Sequence, residues 1–120
     1  MVTISIAKDF SATPGGRFNR DGPFSGEAFR ERILLPALAR GDHVVVELDE
    51  VAGLPASFLE EAFGGLVRRS GLPAVSVLAR VDVRTRQLAL MPYVALVKRY
   101  MAEAAARLDT RSSGVSATRA

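Results

Sequence analysis

Three groups of residues have the types and spacing from which chemistry could be built. The first is the turn Asp49-Glu50-Val51-Ala52-Gly53-Leu54-Pro55-Ala56-Ser57 and the apolar-periodic run after it. Ser57 and Glu60 have the spacing of a capping box, in which the hydroxyl accepts from the third helical amide and the carboxylate reaches back to the cap amide. A cap at Ser57 also sets a hydroxyl at the positive end of a helix, where a phosphate would be tolerated, although capping alone accounts for both residues. The second group is Gly15-Gly16-Arg17 followed by Gly22, Ser25, Gly26 and Glu27. A glycine loop feeding a helix start can present amides to an anion, with Gly16, Arg17, Ser25 and Gly26 as the contacts. The pattern is neither GxGxxG nor a P-loop, and Arg17 paired with Glu27 or Asp21 would make the same stretch a rigid packed loop. The third is His43, Asp49 and Ser57, a catalytic triad by composition only. His43 opens the strand that Asp49 ends, and six residues of strand span about 20 Å, beyond hydrogen-bond reach. Glu60 and Glu61 are neighbours on a helix and diverge by about 100°, which suits a solvated face better than a shared metal. Neither an enzyme, a cofactor nor a metal centre is read from these residues.

The elements that must position these groups follow from local period. Val2, Ile4 and Ile6 alternate with Thr3 and Ser5, which predicts a half-buried strand over 2–6. Residues 11–24, with Pro14, Gly15, Gly16, Asp21, Gly22 and Pro23, read as a structured loop with a small hairpin around Arg17-Phe18 and Phe24. Ser25 opens a helix with Phe29, Ile33, Leu34, Ala37 and Leu38 on one face, Glu27, Arg30, Glu31 and Arg40 on the other, and Gly41 as its stop. Pro36 inside it should kink the last turn or start it afresh. His43–Leu48 is dense in β-branched residues and reads as a central strand. Ser57 starts a second helix with Phe58, Leu59, Ala62, Phe63, Leu66 and Val67 at spacings of three and four. Ala74–Arg80 reads as a third strand, and from about Asp82 the pattern turns helical. Tyr93, Leu96, Val97, Tyr100, Met101, Ala104 and Leu108 form one stripe, read as core, with Pro92 in the first turn. Exposure of both this stripe and the Phe58/Phe63 side would make a homodimer attractive.

Alternating strands and helices at these spacings predict an α/β fold, a mostly parallel or mixed sheet of about four strands packed by three to four helices. With 120 residues, 48% of them apolar, the chain suits a single domain over residues 1–108. Residues 109–120, with three Ser, two Thr, two Arg and one Gly, read as a flexible tail. The absence of cysteine excludes a disulfide framework and thiolate metal sites. With no signal-peptide shape and no long apolar run, it points to the cytoplasm and away from a membrane. Residues 1–79 hold 8 Lys/Arg against 10 Asp/Glu, whereas residues 80–120 hold 8 against 3. That asymmetry admits a nucleic-acid reading through Lys98, Arg99, Arg107 and Arg111, but solvated helix faces and tails give the same sum, so nucleic acid is not the favoured partner.

The phrases PGGRFNRDGPFSGEAF, VVVELDEVAGLPASFLEEAFG and AVSVLARVDV resemble the STAS-like domain family of unknown function, relatives of the STAS domains of sulfate transporters and anti-sigma factor antagonists. The likeness runs over about residues 2–107. It implies a STAS-like fold and a regulatory role exercised by protein–protein contact. In classical STAS proteins, a histidine-kinase-like ATPase phosphorylates a serine or threonine at the start of the helix after the central strand, and this releases the anti-sigma partner. By matching order the resemblance makes Ser57 the phosphorylated residue and Asp49 the acid that ends the strand. The partner-binding rim is then Asp49, Gly53, Leu54, Ser57, Phe58 and Glu61. The chain departs from the classical motif at Ala56, where an aspartate is usual, and at bulky Phe58 and Leu59.

Overall fold

The computed structural model describes residues 1–41 and 43–119, with side chains as far as Asp109. Three short strands, β1 (Val2–Ser5), β2 (Val44–Glu47) and β3 (Val81–Arg84), form a wholly parallel sheet in the order β1-β2-β3. Val2 pairs with Val44 and Val44 with Val81, so Ile4, Val46 and Val83 line up on one buried row. On the alternate face Thr3, Asp82 and Arg84 are exposed, while Val45 of the central strand, between Thr3 and Asp82, is buried. Consecutive right-handed crossovers place every connecting helix on that packed face.

Helix α1 (Ile6–Asp9) follows β1 directly. It takes over the last residue of the expected first strand, because the Ser5 hydroxyl accepts from Lys8 N–H and caps a helix there. Helix α2 runs through α-helical Gly26–Phe29, a π-helical turn Arg30–Leu34 and α-helical Leu35–Ala39. It neither stops nor restarts at Pro36. The wide turn, closed by Leu35 N–H to the Arg30 carbonyl, lies just ahead of the residue that cannot donate. Helix α3 repeats this construction, with Ala56–Leu59, a π turn Glu60–Gly64, and Gly65–Arg69. Then come α4 (Ala74–Arg80) and α5 (Met91–Arg119). The loop before α2 contains a 3₁₀ turn at Asn19–Asp21 in place of the expected hairpin.

The third strand is displaced from its expected position. Residues 74–80 form α4, and the strand is the next four residues, with helix resuming at Met91 rather than near Asp82. Pro73, with its carbonyl accepting from Ser76 and Val77 N–H, starts a helix where a short apolar run fits either state by periodicity. The described sheet therefore has three strands, not about four. Val94, Val97, Met101 and Ala104 of α5 are buried, with Tyr93, Leu96, Tyr100 and Leu108 half-buried beside them, so the stripe is core. Phe58 and Phe63 are also fully buried, which removes the ground first considered for a homodimer. Phe29 links them, with ring centroids 5.9 and 6.2 Å away. Most of the tail set apart at 109–120 lies outside the residues whose side chains are described. No helix is long and apolar enough to cross a membrane among the described residues.

Candidate functional site

The carboxyl ends of all three strands open on one rim, the edge at which parallel α/β sheets place their binding sites. A cleft of about 520 Å³ lies there, lined by Ser5, Lys8, Glu47, Asp49, Glu50, Arg86 and Gln87. Asp49, expected to end the central strand, lies two residues past the end of β2 and is tied to the segment after β3. It accepts from Thr85 Oγ1 at 2.7 Å and from Arg86 N–H at 2.9 Å. The Thr85 hydroxyl, followed by the Arg86 amide, holds the Asp49 carboxyl below the usual carboxylate range. A lowered folded value gives stability that is present above the ordinary range and lost as pH falls through the folded value. Acid titration of Asp49→Asn, followed by circular dichroism, should therefore lack this part of the wild-type loss of stability below about pH 4. Glu50, beside it, adopts φ 73°, a left-handed conformation uncommon for a side chain of its kind. Its N–H donates to Gln87 Oε1 at 2.6 Å, which holds the turn against β3.

Ser57 is not the cap of α3. Pro55 occupies that position with φ −59° and ψ 141°, and its carbonyl accepts from Leu59 N–H, so the helix begins at Ala56. Ser57 is the second helical residue, half-exposed, and its hydroxyl makes no hydrogen bond among the described residues. The expected capping box is absent because Glu60 is engaged elsewhere. Arg68 Nη1 and Arg17 Nη1 each lie 2.6 Å from it, on Oε2 and Oε1. Hydrogen bonding from Arg68, then from Arg17, holds the Glu60 carboxyl below its ordinary range despite desolvation, and Glu60 raises Arg17 in turn.

Glu61 overturns the expectation of a solvated glutamate pair. It is buried, and its Oε2 meets Nη1 of buried Arg30 at 2.5 Å. Arg30 Nη1 also donates to the Glu61 carbonyl at 3.0 Å, while Arg30 Nε has no hydrogen-bond partner. Arg30 was expected on the polar face of α2. Each partner sits near the start of the π turn of its own helix, and Arg30 is three, four and seven residues before Ile33, Leu34 and Ala37, a spacing that puts it on the apolar face of α2 despite its charge. Gly65 makes room for the guanidinium: a Cβ there would lie 2.5 Å from Arg30 Nη1.

The sequence-derived rim thus divides. Asp49, Gly53 and Ser57 reach the surface, whereas Leu54, Phe58 and Glu61 are buried, with only Leu54 edging a groove. That groove, about 420 Å³, is lined by Thr13, Pro14, Ala52, Gly53, Leu54, Pro55 and Tyr93. Tyr93 and Pro14 had no local signal linking them to the rim. The groove is assembled from three separate stretches of chain, joined in part by Ala52 N–H donating to the Ala12 carbonyl at 2.7 Å.

The glycine loop does not bring its candidates together as an anion site. Ser25 does cap α2, accepting from Ala28 N–H at 3.1 Å and donating to Asn19 at 2.9 Å. The Gly26 and Glu27 amides donate to the Gly16 and Arg17 carbonyls, so the helix-start amides are engaged by the loop itself. Arg17 points to Glu60 and Glu61 rather than to Asp21 or Glu27. Gly26 permits α2 to cross α3 closely, since a Cβ would stand 2.5 Å from the Phe58 carbonyl oxygen. His43 lies at the opposite edge of the sheet, with Nε2 2.8 Å from Asp82. Lys98, Arg99 and Arg107 are exposed on α5, with Arg99 3.9 Å from Glu103, while the Arg111 side chain lies outside the described set.

Residues 25–78 match the family model described as the STAS-like domain of unknown function. Comparisons with curated proteins and with solved structures each found no match. The matched region contains β2, both π-turned helices, the Arg30–Glu61 pair and Ser57. Loop residue Arg17 and the Asp49 partners Thr85 and Arg86, just after β3, lie outside it.

Proposed function

We propose that this chain is a non-enzymatic regulatory module that acts by protein–protein contact at the rim around Gly53, Pro55 and Ser57, with the Ser57 hydroxyl as the controlling group. The observation that carries this reading is the free, half-exposed hydroxyl in the first turn of α3, beside an apolar groove. A cap serine would have its oxygen committed to the helix. Ser57 does not, because the cap position falls at Pro55, two residues earlier.

Phosphorylation would add about −1.5 to −2 charges next to helix-start amides that have no side-chain cap. The nearby carboxylates of Glu60 and Glu61 are already paired with Arg17, Arg30 and Arg68, which lessens their repulsion of a phosphate. The resemblance to STAS proteins favours a histidine-kinase-like ATPase as the modifying partner. Its contact surface on this chain would be the exposed backbone at Gly53 and the groove edged by Pro14, Pro55 and Tyr93, rather than the buried Phe58.

The test is a pull-down from native lysate, identification of the bound chain, and binding assays with Ser57→Ala and Ser57→Asp, alongside phosphate mapping by mass spectrometry. Ser57→Ala is expected to bind as the unmodified protein does, and Ser57→Asp more weakly by at least about tenfold, or 1.4 kcal/mol. Equal binding by both variants and the wild type would reject the switch.

A further inference from the structure

Helix α4 is apolar nearly all round, a pattern that belongs to a helix covered on every side. Only Val77 is fully buried. Its outward face carries Val75, 77% exposed, flanked by Leu72 and Leu78 at 37% and 38%. Three large apolar side chains are thus exposed together on this helix and its lead-in turn.

Two shallow clefts border this face. One, about 470 Å³, is lined by Leu35, Leu38, Leu72, Arg69 and Arg80 among others, and the other, about 330 Å³, by Leu72, Ala74, Val75, Leu108 and Asp109. Ala74 and Arg80 are six residues apart and so separated by about 240° around the helix, which puts the clefts on opposite sides of the outward-facing Val75. One cleft carries the cations Arg69 and Arg80, and the other the anion Asp109. Arg69 is exposed, and neither it nor Asp109 takes part in an ion pair among the described residues.

We propose that this face is the interface of a homodimer in which two copies pack α4 against α4 about a two-fold axis. A two-fold operation lays each side of the patch on the opposite side of its partner. The Arg69 cleft of one copy then meets the Asp109 cleft of the other, twice, around a centre of Val75, Leu72 and Leu78. The surface is electrostatically self-complementary, an arrangement that selects a second copy over an unrelated apolar partner. Helix α4 runs straight into the amino end of β3, so the interface sits away from the carboxyl-edge rim and leaves both rims free. The proposal does not depend on the regulatory reading.

Sedimentation velocity on the full chain through the micromolar range is expected to show a concentration-dependent dimer. Val75→Glu changes a side chain already in water and should give a monomer with unchanged circular dichroism and Tm. Arg69→Asp and Asp109→Arg should each weaken association by about tenfold, and the double reversal should restore it. A wild type that stays monomeric, a dimer that survives Val75→Glu, or a double reversal no tighter than either single variant would overturn the proposal. So would a monomeric chain that captures an unrelated protein on this face.

Discussion

Glu61→Ala is expected to destabilise the protein by about 3–5 kcal/mol in urea denaturation, the range for removing one partner of a buried ion pair. The magnitude follows from what remains. Arg30 and Glu61 are both almost entirely out of water, and Arg30 Nε already lacks a hydrogen-bond partner. Without Glu61, the guanidinium would be left inside the α2–α3 contact with the Glu61 main-chain carbonyl as its nearest acceptor. Its other near carboxylate, Glu31 at 3.5 Å from Nε, is half in solvent and cannot replace the lost pair. Arg30→Met combined with Glu61→Leu should recover most of the loss, since an apolar pair of similar volume removes the stranded charge along with its partner. If Glu61→Ala alone changed stability by less than about 1 kcal/mol, the pair would be behaving as a solvent-screened one, and its assigned role in joining the helices would be wrong.

Phe58→Ala is expected to cost about 3–5 kcal/mol, the range for truncating a buried phenylalanine, and to act on folding rather than directly on recognition. Its ring is fully buried, with centroids 5.9 Å from Phe29 and 6.2 Å from Phe10, and no part of it is open to a partner. Thermal unfolding and partner binding, measured on the same preparation, separate the two roles. A large fall in Tm with the folded fraction still binding at wild-type affinity is the expected pair of results. Weakened binding at unchanged stability would return Phe58 to the rim surface, from which its burial removes it.

Ser25 shows how much of the fold is legible locally. Its hydroxyl, the glycine after it and the apolar spacing beyond define a helix start, and that start is where the structure has it. The alternation in 2–5, the β-branched run 44–47 and the stripe of the final helix are similarly local signals, each visible within a short window. Ala74–Arg80 shows the limit. Its short apolar run satisfies helix and strand alike, and the choice falls to Pro73 and to the partner register that Val81 and Val83 make with Val44 and Val46.

The candidate site divides for the same reason. A strand ending near Asp49 and a helix starting near Ser57 could be read from neighbours in the chain, but not that Pro55 rather than Ser57 caps that helix. The cation on Glu61 was missed because Arg30 was assigned to the polar face by its charge, although its spacing of three, four and seven residues to Ile33, Leu34 and Ala37 puts it on the apolar one, and no local signal names Glu61 as its partner. Hydrophobic period and capping chemistry act over a few residues, so the chain alone was enough to establish an α/β class and its main helices. Which charges are buried together, whether a serine hydroxyl is committed or free, and where a groove opens all depend on segments distant in sequence. Those depend on how helices pack and turns close, because removal from water and hydrogen-bond geometry are set by whatever the fold brings within a few ångströms.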